Sequence, residues 1–243
     1  MSDHSLARRA TAEAVGAGLL VMIVVGSGIA ASRLSPDDVG LQLLENGIAT
    51  AGGLVALILA LGPVSGAHLN PVVTLADRVL GGTTNRDAIA YVLAQIGGAC
   101  AGAIIANLMF DLPAVTLATR TRSSSGLWLG EVVAAFGLIL VILGVVRAGR
   151  ATVAAFAVGS YIGAAYWFTS STGFANPAVT IGRTLTDTFT GIAPSSAPAF
   201  VVAQVVGALA AVALARYLFP GIPAADLVVA HEGPSPSETE EAP

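Results

Sequence analysis

The chain has 243 residues, of which 55% are hydrophobic and only 11% are charged, with a mean hydropathy of +0.80 and a formal net charge of −4. A soluble globular domain carries about 25% charged residues, so this composition excludes a soluble protein and indicates a polytopic membrane protein. The single cysteine, Cys100, excludes an internal disulfide and is too isolated for a cysteine metal site.

The start of the chain resembles a signal peptide, because Arg8 and Arg9 precede an apolar run. That run continues through Ala31 and contains Glu13. It is too long for a signal-peptide core, so we expect an uncleaved first helix after a short cytoplasmic segment at 1–10.

Six apolar segments approach the roughly 20 residues that a helix needs to cross a bilayer. They lie at Thr11–Ala31, Asn46–Gly62, Ala88–Phe110, Gly126–Val146, Ala151–Thr169 and Pro198–Phe219. Glycine and alanine are abundant within them, and small residues let helices approach closely in lipid. The sequence therefore predicts an all-α membrane protein with six tightly packed transmembrane helices, in a channel domain at 11–222.

The arginines favour one orientation of this bundle, because positive residues are enriched in cytoplasmic loops. With the N terminus inside, the cytoplasmic side holds Arg8, Arg9, Arg78, Arg86, Arg147, Arg150 and Arg216. The outer side then holds Arg33, Arg120, Arg122 and Arg183. Both termini are therefore predicted to be cytoplasmic, and the acidic, Pro- and Ser-rich stretch at 223–243 to be a disordered tail.

The chain repeats one plan in two halves, at about 11–112 and 126–220. Three landmarks of the first half, Glu13, Asn70 and Gln95, recur in the second half as Glu131, Asn176 and Gln204. Each half has three spans, an odd number, so the second half is inverted relative to the first. Inverted repeats are typical of transport proteins whose working site lies at the midplane between the halves.

A proline at the first turn and an asparagine N-cap both favour a helix start, so Asn70-Pro71 and Asn176-Pro177 each predict one. The helices that follow, PVVTLADRVL and PAVTIGRTL, are too short to cross the membrane. We expect two re-entrant half-helices that meet with their N termini at mid-membrane, around Asn70, Pro71, Val72, Asn176, Pro177 and Ala178. Their positive ends would repel cations, and the asparagine amides would orient a neutral hydrogen-bonding molecule.

The motifs SGAHLNPVVT and GFANPAVT resemble those of the aquaporins and aquaglyceroporins, the major intrinsic proteins. The resemblance covers about Thr11 to Phe219. It implies a right-handed bundle of six helices and two half-helices, a pore in each subunit and a homotetramer in a bacterial-type cytoplasmic membrane. It also implies that Glu13 and Glu131 support the re-entrant loops and that His68 lines the cytoplasmic vestibule. The alternatives are a helix-end glutamate for Glu13 and a loop-packing role for His68.

The chain departs from the family at the narrow outer selectivity filter. Many relatives place an arginine after the second NPA, and here Val179 stands in that position. By spacing, Thr50, Ala165 and Phe174 supply the other walls, with Ala164 as the alternative to Ala165. Arg183, four residues after Val179, is a candidate substitute for the missing arginine. We expect a wider and less polar ring than that of a strict water filter.

These features predict a passive channel for small uncharged solutes. Glycerol is one candidate solute and arsenous acid, a neutral metalloid hydroxide, is another, because an NPAV motif with this continuation resembles bacterial channels linked to arsenic handling. The alternatives are a strict water channel, a coupled secondary transporter and a structural membrane protein with a closed pore. No catalytic array, metal-ligand spacing or phosphate loop occurs, so we expect no enzyme, no cofactor and no nucleic-acid partner.

Overall fold

The structure is a computed structural model that describes residues 4–218, and within that range it contains helices and no strands. The eight α-helices are α1 (Leu6–Leu34), α2 (Val39–Ser65), α3 (Pro71–Leu80), α4 (Asn85–Met109), α5 (Ser125–Arg147), α6 (Ala154–Phe168), α7 (Pro177–Gly182) and α8 (Ala197–Leu218). Short 3-10 helices precede α6 and follow α7. The predicted tail at 223–243 lies outside the described residues.

All helices except α3 and α7 are long and apolar enough to cross a membrane, with α6 counted together with the 3-10 helix before it as Ala151–Phe168. These are six spans in the described range, in agreement with the sequence. The first two begin earlier than their apolar runs, because polar residues cap them. Ser5 Oγ accepts a hydrogen bond from Arg8 N, and Asp38 Oδ1 accepts one from Leu41 N. Such N-caps satisfy backbone donors that no helical carbonyl reaches, so α1 starts at Leu6 and not at Thr11.

The two half-helices begin where the Asn-Pro pairs predict. Helix α3 spans 10 residues from Pro71 to Leu80 and is capped by Gly81, which is left-handed with φ +88°. Helix α7 spans only 6 residues from Pro177 and then tightens into the 3-10 helix Arg183–Leu185. Both prolines occupy the first turn, where their missing N–H is not needed.

Glycines set the close approach of the long helices. A Cβ on Gly98 of α4 would lie 2.0 Å from the carbonyl oxygen of Ala14 in α1, and one on Gly207 of α8 would lie 2.2 Å from that of Val132 in α5. No side chain fits at either crossing. The α1–α4 and α5–α8 pairs are the most extensive helix contacts in the described range, and each half of the chain supplies one.

The outer faces of the bundle are apolar. Ile89 and Leu93 of α4, and Val202 and Val206 of α8, are all more than half exposed in the single chain. Many of the buried polar side chains, by contrast, lie around the half-helices, among them Glu13, Gln95, Glu131 and Gln204. This inside-out distribution is that of a protein whose outer surface contacts lipid or further copies of itself.

Candidate functional site

A cavity of about 70 Å³ lies between the two halves, several times the roughly 10–15 Å³ that one water molecule requires. Its long walls come from residues spaced four apart on single helix faces. These are Leu20 and Val24 of α1, Thr50, Leu54 and Ile58 of α2, Leu138, Ile142 and Val146 of α5, and Val158, Ile162 and Tyr166 of α6. The walls are mostly aliphatic. Apart from the hydroxyls of Thr50 and Tyr166, the polar groups come from the two re-entrant loops, the half-helices and the 3-10 helix that follows α7.

The starts of the two half-helices are joined by reciprocal hydrogen bonds beside the cavity. Asn70 Nδ2 donates to the carbonyl oxygen of Ala175 at 2.8 Å, and Asn176 Nδ2 donates to that of Leu69 at 2.9 Å. Each asparagine also caps its own half-helix, with Oδ1 accepting from the backbone N–H two residues on, that of Val72 or Ala178. An amide carries two N–H groups, so each asparagine keeps one that no described residue binds. Both asparagines line the cavity.

The other predicted midplane residues support this arrangement from behind. Pro71, Val72, Pro177 and Ala178 are all buried. None of the four lines the cavity. They hold the two asparagines in position and do not themselves face the space between the half-helices.

Glu13 holds the first re-entrant loop. Its Oε1 accepts from Ser65 Oγ at 2.6 Å and from His68 N at 3.0 Å, and its Oε2 accepts from Leu69 N and Gln95 Nε2, both at 2.7 Å. The side chain is fully buried. Four donors offset the cost of burying this carboxylate, so the helix-end alternative for Glu13 is wrong.

Glu131 does the same for the second loop. Its carboxylate accepts from Phe174 N at 2.9 Å, Ala175 N at 2.9 Å and Gln204 Nε2 at 2.6 Å. These bonds hold a strained backbone, because Ala175, like Leu69 in the first loop, has φ +49° without being glycine. The strain turns the carbonyls of Leu69 and Ala175 toward the opposite asparagine.

The two glutamines connect each carboxylate to a half-helix, a role that the repeat alone did not reveal. Gln95 Nε2 also donates to Thr74 Oγ1 at 3.0 Å, and Gln204 Nε2 donates to Thr180 Oγ1 at 2.9 Å. Both threonines stand in the NPxxT pattern that recurs in the two halves. That recurrence was the available signal for their role.

One end of the cavity, which we call the His68 mouth, carries a small polar cluster. His68 lines the cavity, its Nδ1 lies 3.1 Å from Thr74 Oγ1, and its Nε2 lies 4.0 Å from Asp77 Oδ2. Its ring also packs edge-on against Tyr91 at 5.3 Å. The side chain therefore both packs the loop and faces the cavity, so the two alternatives for His68 are not exclusive.

The opposite end, the Arg183 mouth, brings together three of the four residues predicted for the filter. Thr50, Phe174 and Val179 all line it. Thr50 Oγ1 lies 3.0 Å from Tyr166 Oη, and the Phe174 ring packs edge-on against Phe200 at 5.2 Å. Val179 is 6% exposed and presents an aliphatic side chain to the cavity.

The expectation that Ala165 lines this mouth is wrong, and so is its alternative Ala164. Ala165 is fully buried against the second re-entrant loop, where a Cβ on Gly173 would lie 2.7 Å from it, and Ala164 points outward. Successive residues of a helix turn by about 100°, so an error of one position changes the face. Tyr166 lines the cavity in their place.

Arg183 also lines this mouth and is 3% exposed. Its Nε donates to the carbonyl oxygen of Thr190 at 2.5 Å, and its Cζ lies 3.4 Å from the centre of the Phe174 ring. The mouth thus contains a guanidinium although position 179 does not supply one. Its position depends on a carbonyl in the loop before α8, which no local pattern predicts.

The comparisons with known proteins agree with this architecture. Residues 1–174 and 148–240 match the profile of the family described as Major intrinsic protein. Aquaglyceroporin AqpS of Rhizobium meliloti is 52% identical over 218 residues, which cover 90% of this chain and 93% of that protein. The probable aquaporin AqpM of Archaeoglobus fulgidus is 32% identical over 242 residues, covering 88% of this chain and 98% of that protein.

A solved structure extends the agreement to the fold. The X-ray structure of the aquaglyceroporin from Plasmodium falciparum matches with a TM-score of 0.71 at 21% identity, covering 89% of this chain and 98% of that one. Six spanning helices, two opposed half-helices and a cavity between them define an integral membrane channel. The chain belongs to the major intrinsic protein family, and it is a passive channel for small uncharged solutes and not an enzyme.

Proposed function

We propose that the channel passes neutral solutes larger than water, of the size and hydroxyl content of glycerol or arsenous acid. The observation that carries this proposal is Val179, which presents an aliphatic side chain at the Arg183 mouth where many relatives have a guanidinium. A small side chain there leaves room beside the arginine that does reach the mouth. The resemblance of the NPAV motif to channels linked to arsenic handling supports arsenous acid as a solute.

The selectivity filter in this proposal consists of Thr50, Tyr166, Phe174, Val179 and Arg183. Arg183 and the threonine and tyrosine hydroxyls offer hydrogen-bond partners on one part of the ring. Phe174 and Val179 offer apolar surface to the carbon skeleton of a polyol. A solute with hydroxyls on one side and apolar surface on the other matches such a ring.

Two features support neutral solutes over ions. The aliphatic walls on either side of the asparagines offer an ion no replacement for its hydration shell, and transfer of a bare charge there costs several kcal/mol or more. The half-helix N termini and Arg183 place positive charge in the path of a cation. A neutral molecule instead exchanges water for the free amide N–H groups of Asn70 and Asn176.

The buried carboxylates support a passive channel over a coupled transporter. A transporter driven by protons or cations needs an ionisable group that is exposed to the path at the midplane. Glu13 and Glu131 lie inside spans, but their oxygens are occupied by loop amides and glutamine side chains. Neither residue lines the cavity.

A strict water channel is the second candidate, and a specific observation favours it. Tyr166 and Arg183 both reach the mouth, and together they narrow the space that Val179 leaves. In that case, Tyr166 takes the place of the aromatic side chain usual in a water filter, and Arg183 takes the place of the usual arginine, each from a different position in the sequence. The two candidates differ in the ratio of glycerol to water permeability.

Assembly and placement are part of the same proposal. The exposed apolar faces of α4 and α8 suit a homotetramer in which each subunit carries its own pore. The bias of the arginines supports cytoplasmic termini, with the His68 mouth on the cytoplasmic side and the Arg183 mouth outside. We also propose that the channel domain extends over 11–222 in a bacterial-type cytoplasmic membrane.

Purified protein reconstituted into lipid vesicles tests the function. In a stopped-flow instrument, an imposed glycerol gradient first shrinks the vesicles and then lets them reswell as glycerol enters. We expect reswelling faster than in protein-free vesicles, proportional to the gradient without saturation, and without electrical current. Fast water exchange with no glycerol entry would instead establish a strict water channel, and saturating flux driven by a pH or Na⁺ gradient would establish a transporter.

A further inference from the structure

Three arginines at the Arg183 mouth are held by three successive carbonyls of the loop before α8. Arg120 Nη1 donates to the carbonyl oxygen of Phe189 at 2.8 Å, Arg183 Nε to that of Thr190 at 2.5 Å, and Arg122 Nε to that of Gly191 at 3.1 Å. Arg122 and Arg183 also lie over the same ring, that of Phe174, with Cζ-to-centre distances of 5.2 and 3.4 Å. The loop thus gathers three cations at one entrance.

No carboxylate pairs with any of the three within residues 4–218. The ion pair of Arg9 with Asp87 and the contact of His68 with Asp77 both lie elsewhere. Asp187, on the same loop, accepts hydrogen bonds from Thr119. The remaining nearby acid, Glu131, is occupied by loop amides and Gln204.

The cluster has unused hydrogen-bonding capacity as well as unbalanced charge. Each guanidinium has five N–H donors. One bond to the loop is described for each, and no described residue accepts from the Nη groups of Arg183. Burial, and next the charge of Arg120, lower the pKa of Arg122 to about 10, so its guanidinium is still charged at neutral pH. An anion would relieve the repulsion among the three cations.

Burial increases from the entrance toward the cavity. Arg120 is exposed, Arg122 is half-buried and Arg183 is buried at the cavity wall. The long walls of the cavity behind this mouth are mostly aliphatic. A small anion is therefore attracted and hydrogen-bonded at the mouth, but it meets a large desolvation cost if it moves further.

We propose that Arg120, Arg122 and Arg183 form a binding site for a small tetrahedral oxyanion of the phosphate type, and that the bound anion obstructs the passage of neutral solutes. This inference rests on the proposed function only in its first test, in which slower glycerol flux reports that the anion is bound. Binding itself does not depend on which solute permeates. A phosphate group also occurs in lipid headgroups. The position of Arg183 inside the cavity mouth favours a free anion over a headgroup, which stays in the membrane surface.

Inhibition of glycerol flux by inorganic phosphate tests the proposal. The vesicles contain only zwitterionic phosphatidylcholine, and chloride keeps the ionic strength constant so that screening does not change. We expect phosphate to slow glycerol entry. The half-inhibiting concentration should rise about tenfold in Arg122→Gln and about threefold in the more exposed Arg120→Gln, as loss of a charged hydrogen-bond donor predicts.

Arg33→Gln is the matched control. Arg33 is exposed at the end of α1, donates to the carbonyl oxygen of Phe110 and lies 5.2 Å over the Phe110 ring, so it has the same chemistry as Arg120 outside the cluster. It should leave phosphate inhibition unchanged. Equal inhibition by chloride and phosphate, equal shifts in Arg33→Gln and Arg122→Gln, or phosphate accumulation inside the vesicles would overturn the proposal.

A binding measurement separates this site from the function of the channel. Phosphate that binds the folded protein raises its thermal unfolding temperature. We expect that rise in detergent for the unmodified protein and Arg33→Gln, and its loss in Arg122→Gln. If glycerol flux is absent but the rise persists, the channel proposal fails and the site remains. If phosphate acts only in vesicles with added phosphatidylglycerol, or anionic lipid alone mimics it, a lipid headgroup is the ligand and the free-anion site is wrong.

Discussion

The two mouths of the cavity use equivalent positions of the two halves, 106 residues apart, and differ in charge. At one mouth, His68 faces Asp77 at 4.0 Å. At the other mouth, the equivalent residues are Phe174 and Arg183, whose ring and guanidinium lie 3.4 Å apart. An acid beside an imidazole in the first half is thus replaced by a cation beside an apolar ring in the second.

The midplane between these mouths shows no such difference. Asn70 and Asn176 each donate across to the other loop at 2.8 and 2.9 Å. Gln95 and Gln204 bond their threonines at 3.0 and 2.9 Å. The residues that build the fold are therefore those that repeat, and the residues that distinguish the two mouths are those that do not. Selectivity is expected where the halves diverge.

We expect the largest effect on stability from removal of Glu13 or Glu131, because these carboxylates hold the re-entrant loops in both halves. Glu131→Ala leaves three donors unpaired, each at about 1–3 kcal/mol, and Glu13→Ala leaves four. We expect both variants to lose several kcal/mol of stability, with little monodisperse protein recovered and a lower thermal midpoint. Glu131→Gln, which keeps one acceptor oxygen, should lose less. A Glu131→Ala protein with the original midpoint and normal conductance would show that the loop does not depend on this side chain.

Aspartate at either midplane asparagine tests whether the two halves are equivalent there. Asn176→Asp replaces the donor to the Leu69 carbonyl with a carboxylate and places a charge among aliphatic walls. Glycerol permeability should fall about tenfold, the loss expected for one hydrogen bond of about 1.4 kcal/mol. Asn70→Asp should behave alike, and Asn85→Asp, exposed at the start of α4, should have no effect. Unchanged flux in both midplane variants at equal abundance would rule out a site at the asparagines.

A smaller effect is expected from Tyr166→Phe, which removes one hydroxyl from the Arg183 mouth alone. It frees Thr50 Oγ1 from its 3.0 Å partner, and the threonine can then bind a passing hydroxyl. We expect glycerol permeability to change by about twofold, since a neutral hydrogen bond contributes on the order of 0.5–1.5 kcal/mol. Tyr161→Phe, whose hydroxyl donates to Val133 away from the cavity, is the matched control. If the two variants behave alike, Tyr166 is not part of the filter.

Much of the architecture was predictable because it repeats. Apolar length predicts the six spans, and helix-cap chemistry predicts the half-helix starts at Pro71 and Pro177. The recurrence of the repeat predicts that Glu13 and Glu131 have corresponding roles in the two halves. The threonine and glutamine contacts also recur, although their function became clear only from the distances.

The Arg183 mouth was less predictable, for two physical reasons. Placing a residue on α6 by counting across a loop has an uncertainty of one position, and one position separates buried Ala165 from cavity-lining Tyr166. The orientation of Arg183 depends on a carbonyl at Thr190 and a ring at Phe174, contacts that the local pattern of α7 does not contain. Spacing by four along α6, from Val158 through Ile162, was the available signal for Tyr166.

The proposed function depends most directly on position 179, where a small side chain leaves the Arg183 mouth open to solutes larger than water. Val179→Arg adds a bulky guanidinium to that ring, and Val179→Met adds length without charge. Both are compared with the unmodified protein in the same vesicle preparation, as the ratio of glycerol to water permeability in correctly assembled protein. We expect Val179→Arg to lower this ratio about tenfold, which corresponds to about 1.4 kcal/mol in the barrier to glycerol relative to water, and Val179→Met to lower it less. An unchanged ratio in folded Val179→Arg would contradict the claim that position 179 sets the filter.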